Sequence, residues 1–270
     1  MRRLAKIALI LAFVIVLTGC SSNEVKAPLE NSEPEASSAT ETTILVAAAA
    51  SLKNVMDNEL IPLFIEQNPN INVNSTYDSS GKLQTQIEEG AEVDVFMSAA
   101  MKQMNALAEK GLIDENSVVE LLENKIVLIV PKGNVKEIHS FEEILKADTI
   151  AVGDPESVPA GQYAKEALEF LKLWDETYSK SSLGTNVTQV LNWVAEGSAD
   201  VGVVYATDAA SNDKVEVVAA APEGSVSKII YPAGMVKESQ NKDAAKIFLE
   251  FLQSAEASEI FEKYGFTVNE

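Results

Sequence analysis

Only one cysteine, Cys20, occurs in the 270 residues, so no disulfide can brace the fold within this chain. Histidine is equally scarce. His139 stands alone in a polar stretch ahead of Phe141, which argues against a Ser-His nucleophile or a His-ligated metal. Arginine stops at Arg2 and Arg3, and from residue 4 onward no guanidinium can grip a carboxylate or phosphate with two parallel bonds. Positive charge is short altogether, with 21 Lys and Arg against 41 Asp and Glu and a net charge of −20. Phosphate binding draws on clustered basic residues, so nucleic acid is excluded as a partner. The abundant acids include Asp94, Asp154, Glu156 and Asp200, but no spacing among them singles out an acid–base pair. A hydrolytic enzyme is therefore only a remote alternative.

The first residues, Met1 to Lys6, are basic, and the apolar run 7–17 that follows is too short to span a bilayer comfortably. That order reads as a secretory signal. Its end, Leu17-Thr18-Gly19-Cys20, resembles the lipobox of bacterial lipoproteins, which implies cleavage before Cys20 and lipidation of that residue. Residues 1–19 are then the signal peptide, and the protein is expected outside the cytoplasm, anchored to the cell membrane through Cys20. Residues 20–41 supply the lipidated cysteine and a flexible tether. Ser, Glu, Pro, Asn, Ala and Thr dominate there, and too little apolar surface is present to offset the entropy of ordering. Removing Arg2, Arg3 and Lys6 lowers the 21 basic residues to 18 against 41 acidic ones, a net charge of −23 with no arginine left.

About 230 residues remain, sufficient for one large domain or two lobes with sizeable cores. Strand-like runs at 43–48, 72–77 and 93–98 alternate with helix-like runs at 52–66, 82–88 and 102–109. This alternation predicts an α/β protein with a largely parallel sheet. Pro62 interrupts the first helical pattern and predicts a kink or a division near Asn58. Gly90 and Gly111 stand where helix C-terminal caps are wanted. A second set covers strands at 125–130, 149–152, 201–205 and 215–219, with helices at 141–145, 162–173 and 187–196, before 229–236 and two closing helices at 241–252 and 255–264. The apolar runs 126–130 and 229–236 could be crossovers, giving lobe 1 from 42–124 and 229–270 and lobe 2 from 125–228. Trp174, Trp193 and the methionines read as core.

The most informative stretch is 149–164, TIAVGDPESVPAGQYA, where a β-branched run ends in a loop punctuated by Gly153, Pro155, Pro159 and Gly161 and passes straight into a helical pattern. Backbone N–H groups in the first turn of a helix lack partners within it, and such a place suits an anion. Other junctions share this form. Ser51 sits where an N-cap belongs ahead of Leu52, Val55 and Met56; Asp78-Ser79-Ser80-Gly81 precedes Leu83 and Ile87; Gly184-Thr185-Asn186 precedes Val187; and Gly202-Val203-Val204-Tyr205 ends a strand. In open α/β sheets ligands bind beyond the carboxyl ends of strands. Facing lobes with such edges would enclose hydroxyls and N–H groups, all of them donors.

Ala49-Ala50-Ser51-Leu52, Ser79-Ser80-Gly81-Lys82-Leu83, the 151–168 block with Gly-Asp-Pro-Glu and Val-Pro-Ala-Gly, Gly202 to Tyr205, and the 259–266 stretch EIFEKYGF together resemble the molybdate-binding proteins of bacterial ABC importers. The likeness runs in order from about Thr43 to Phe266. It implies a two-lobed periplasmic-binding-protein-like fold of type II, each lobe a mostly parallel sheet flanked by helices, with the ligand in the cleft between them. It implies that molybdate or tungstate is held by the hydroxyls of Ser51, Ser80 and Tyr205 and the backbone N–H groups of Ala160 and Val187, with Ser79 close enough to compete with Ser80. Molybdenum would enter only as the oxyanion, without direct metal ligands and without any cofactor. A membrane permease and a cytoplasmic ATPase are the implied partners of a monomer. Another tetrahedral oxyanion, sulfate or phosphate, is the alternative ligand.

Overall fold

The computed structural model describes residues 41–269; the signal segment, Cys20 and the tether to position 40 lie outside the described residues. Eleven strands form two sheets among these residues. They are β1 (Thr42–Ala49), β2 (Ile71–Asp78), β3 (Val95–Met97), β4 (Val119–Glu123), β5 (Ile126–Pro131), β6 (Ile150–Gly153), β7 (Ser181–Gly184), β8 (Val201–Tyr205), β9 (Val215–Ala220), β10 (Ile230–Met235) and β11 (Thr267–Val268). The first sheet has the order β11-β4-β10-β3-β1-β2 and the second β7-β6-β8-β5-β9. The chain passes from the first to the second between Glu123 and Ile126 and returns between Ala220 and Ile230.

The two-lobed α/β architecture is present, but its sheets are mixed, which corrects the mostly parallel arrangement anticipated. β1 runs parallel to β2 and β3, and β6 runs parallel to β7 and β8. In contrast β10 is antiparallel to β3 and β4, and β5 is antiparallel to β8 and β9. The parallel pairs are joined by helices, as crossovers require. β5 and β10 arrive from the other sheet, so no crossover helix fixes their direction. β4 escaped the sequence reading because Val-Glu-Leu-Leu-Glu has no clean period of two. Its ladder with β10 shifts register between Tyr231 and Pro232, where the proline has no N–H to donate.

Both faces of β1 are covered. Val46 and Ala48 join the larger core with Leu52, Met56, Phe64 and Phe248, while Ala47 faces the opposite way into a smaller one with Leu83, Phe96, Met104 and Leu107. Alternation along a strand with helices on both sides demands this pattern. After β1 the chain winds continuously through a 3-10 turn (Ala50–Leu52), an α turn (Lys53–Val55), a π turn (Met56–Leu60) and an α-helix (Ile61–Gln67). The break expected near Asn58 is thus replaced by a π turn. Pro62 falls just after the π turn, whose wider pitch accommodates the ring and the missing N–H within the continuous winding. Gly90 and Gly111 follow helices with φ of +90° and +70°, the left-handed conformation of a helix C-cap.

Candidate functional site

Six loops converge at the carboxyl ends of β1, β2, β3, β6, β7 and β8. All five residues expected to hold the ligand, Ser51, Ser80, Ala160, Val187 and Tyr205, line one small cavity of about 10 Å³, together with Ala99 and Asp78. That volume is about the least a single water needs, so the walls of the cavity stand nearly in contact and an anion enters only as they part. Among the described residues no group of three or more His, Cys, Asp or Glu could hold a metal ion.

Each position has a local cause. After β2, the Ser79 hydroxyl accepts from the Lys82 N–H at 3.4 Å and caps the Ser80–Glu88 helix. Ser80 is buried, and its Oγ accepts the N–H of Ala99 at 2.9 Å. Neighbouring serines therefore have different duties. Ser51 is not an N-cap; that place is taken by Ala49, whose side chain offers no oxygen. The Ser51 Oγ instead lies 3.0 Å from the Tyr231 hydroxyl.

Ala160 is the second residue of the Pro159–Phe170 helix and Val187 the first of the Val187–Ala195 helix. Their N–H groups belong to the turn that has no acceptor within the helix. Asn186 caps its own helix by accepting from Gln189 N at 3.0 Å. The Pro159 helix can start against β6 only because Gly161 has no side chain, since a Cβ there would lie 2.0 Å from the Gly153 carbonyl oxygen. Within the loop, the Asp154 carboxylate accepts the Glu156 N–H at 3.0 Å, and the Asp154 carbonyl accepts from Ser157 and Val158. Asp154 and Glu156 do not line the cavity.

Residues from the two sheets meet across the cavity. The Tyr205 hydroxyl donates to the Ala99 carbonyl at 3.2 Å, Gly81 N–H to the Ser157 carbonyl at 3.0 Å, and the Asn186 amide to Asp78 at 3.3 Å. Burial pushes the Tyr205 phenol well above its usual pKa, so it stays a neutral donor. Asp78 is the one carboxylate on the cavity wall. Its oxygens are occupied by Ser79 N–H, the Lys82 ammonium and Asn186.

The remaining acids considered for catalysis are scaffolding. Asp94 accepts from Leu45 N–H and the Ser239 hydroxyl, and Asp200 from the Asp148 and Thr149 N–H groups. The His139 N–H donates to Glu143, and the residue is not on the cavity wall. Sequence reading missed Tyr231, Asn124, Ala99 and Asp208. Nothing in the local pattern marks the first three, because each reaches the site through a contact distant in sequence, and Asp208 borders only the hollow beside it. A larger hollow of about 490 Å³ borders Thr43, Asp94 and Asn241, at the opposite end of β1. Its place at the amino ends of the parallel strands is the wrong edge for a ligand in this architecture.

Residues 44–267 match the family model of the bacterial extracellular solute-binding proteins. A Bacillus subtilis (strain 168) protein provisionally named an ABC transporter substrate-binding lipoprotein, YvgL, is 41% identical over 97% of this chain and 96% of its own. The molybdate-binding protein ModA of Escherichia coli (strain K12) is 39% identical over 85% of this chain and 91% of its own. Among solved structures, the substrate-binding domain of a provisionally assigned molybdenum ABC transporter from Clostridium difficile is 40% identical. It superimposes with a TM-score of 0.65, over 85% of this chain and 100% of that one. The chain belongs to the bacterial extracellular solute-binding proteins of ABC importers, and it binds a solute rather than catalysing a reaction.

Proposed function

We propose that this protein captures molybdate, and tungstate with it, in the cavity between the two sheets and delivers the anion to an ABC importer. One observation carries the reading: Ser51, Ser80, Ala160, Val187 and Tyr205 surround a single small cavity with neutral donors and no cationic side chain. A dianion can be held this way in a strongly acidic protein. N–H dipoles at helix starts act over a few ångströms, while distant carboxylates are screened over about 8 Å at physiological salt. Donors alone favour a fully deprotonated anion. A protonated oxyanion brings a hydrogen with no acceptor to meet it, at a cost of about 1–3 kcal/mol in a dry site. Molybdate and tungstate share charge and nearly share size, and sulfate, with shorter bonds, fits the same donors less well.

The lobes that close on the anion are taken as 42–124 with 229–270 and as 125–228. Cys20 anchors the monomer to the membrane by its lipid, the residues up to 41 give it reach, and a permease with a cytoplasmic ATPase receives the ligand. No cofactor takes part. Calorimetric titration with molybdate, tungstate, sulfate and phosphate tests the reading. Tight binding of the first two is expected, and tight sulfate binding without molybdate heat overturns it.

A further inference from the structure

Two side chains outside the cavity decide which way the Ser51 hydroxyl points. The Asn124 amide is oriented unambiguously, because its oxygen accepts the Lys125 N–H at 2.8 Å. Its nitrogen therefore faces Thr207 Oγ1 at 2.9 Å and the Tyr231 hydroxyl at 3.3 Å. The Tyr231 oxygen thus receives a hydrogen from Asn124; either hydroxyl can donate across the 3.0 Å contact with the Ser51 Oγ, and the filled Tyr231 oxygen favours Tyr231 as the donor. Ser51 then has a lone pair filled from behind and its own hydrogen left for the cavity. Ser80 is set up in the same way, its oxygen filled by the Ala99 N–H. Tyr231 is buried, and the cost of desolvating a phenolate pushes its pKa well up and keeps the phenol neutral and able to donate.

We infer that Asn124 and Tyr231 are positioning residues that force Ser51 to act as a donor, and that this relay helps the site refuse an oxyanion carrying a proton. The inference rests on the oxyanion reading above. A serine free to rotate could accept a hydrogen bond from the ligand as readily as donate one. With its oxygen filled from behind, an incoming hydroxyl on the anion meets a second donor and loses its partner.

The test compares molybdate with hydrogen phosphate at pH 8, where both are dianions and only the second bears a proton. Affinities are measured calorimetrically for the wild type, Tyr231→Phe and Asn124→Asp. Tyr231→Phe removes the donor behind Ser51 and adds no charge. Asn124→Asp supplies an acceptor that turns the Tyr231 hydrogen away from Ser51, so the serine gives its own hydrogen back to Tyr231. In both variants molybdate affinity is expected to fall on the order of tenfold, while hydrogen phosphate falls less or gains. The ratio of the two affinities is the readout, since misfolding or added negative charge weakens both dianions alike. An equal loss for both anions, no loss for either, or hydrogen phosphate undetectable in both variants overturns the relay. Failure of the wild type to bind any tetrahedral oxyanion overturns the functional reading instead.

Discussion

Asp208 is a carboxyl that burial makes costly to ionise. It is buried at the start of the short Ala206–Ala210 helix, one carboxylate oxygen has no hydrogen-bond partner, and burial pushes its pKa up to about 7. It lines, with Thr207, Ser211 and Ser51, a second hollow of about 60 Å³ beside the binding cavity. In the unfolded chain the same carboxyl releases its proton near pH 4. Between those two values the folded state holds a proton that the unfolded state has lost. The stability contributed by the neutral carboxyl is therefore complete below the unfolded value and is lost as pH rises through about 7. Asp208→Asn removes the titration while keeping the shape. Denaturant midpoints at pH 5 and pH 8 should show the variant gaining on the wild type by on the order of a few kcal/mol at the higher pH. An unchanged difference between the two pH values would show that Asp208 is ionised and solvated throughout. Such a residue cannot be found by reading along the chain. Thr-Asp-Ala after a strand reads as a helix start, and only burial in the folded chain makes its charge expensive.

Between elements, the junction of β6 with the Pro159–Phe170 helix carries the tightest packing constraint. Val-Gly-Asp-Pro-Glu and Val-Pro-Ala-Gly declared a strand, a rigid loop and a helix start, because proline and glycine act locally and their effects survive without knowledge of the fold. The parallel half of each sheet was legible for the same reason, since alternating strand and helix patterns imply crossovers. The antiparallel halves were not: a strand's direction depends on which lobe the chain comes from, and that is a property of the whole path. The role of Gly161 lies between these cases. Its presence was plain, but its cause, a Cβ that would sit 2.0 Å from the Gly153 carbonyl oxygen, is a contact eight positions away. Gly161→Ala must push the helix off β6. We expect a loss of about 1–3 kcal/mol in folding stability and a weakened oxyanion affinity, because the Ala160 N–H moves with the backbone. Thermal unfolding and calorimetry on the same sample check both; a variant with unchanged affinity would remove Ala160 from the set of contacts.

At the scale of the whole molecule, the charge balance and the neutral site oppose each other. From Cys20 onward the chain carries 18 basic against 41 acidic residues, a net −23, while the cavity wall holds donors and one carboxylate already paired with Lys82. A dianion approaching from solvent meets a repulsive field, and attraction begins only within reach of the N–H groups and hydroxyls. Salt shortens the range of that repulsion but leaves contacts inside a closed, dry cavity nearly untouched. The association rate constant for molybdate should therefore rise as ionic strength is increased from about 10 mM to about 150 mM, where the Debye length falls from about 30 Å to about 8 Å. The dissociation rate constant should change little. Sites built on arginine or lysine behave in the opposite way, because salt screens their long-range attraction. Stopped-flow fluorescence, using Trp193 on the Val187–Ala195 helix as the reporter, separates the two rates. A fall in the association rate with chloride or perchlorate alike would mean that lysine side chains, Lys53 or Lys82 above all, gather the anion before the neutral donors receive it.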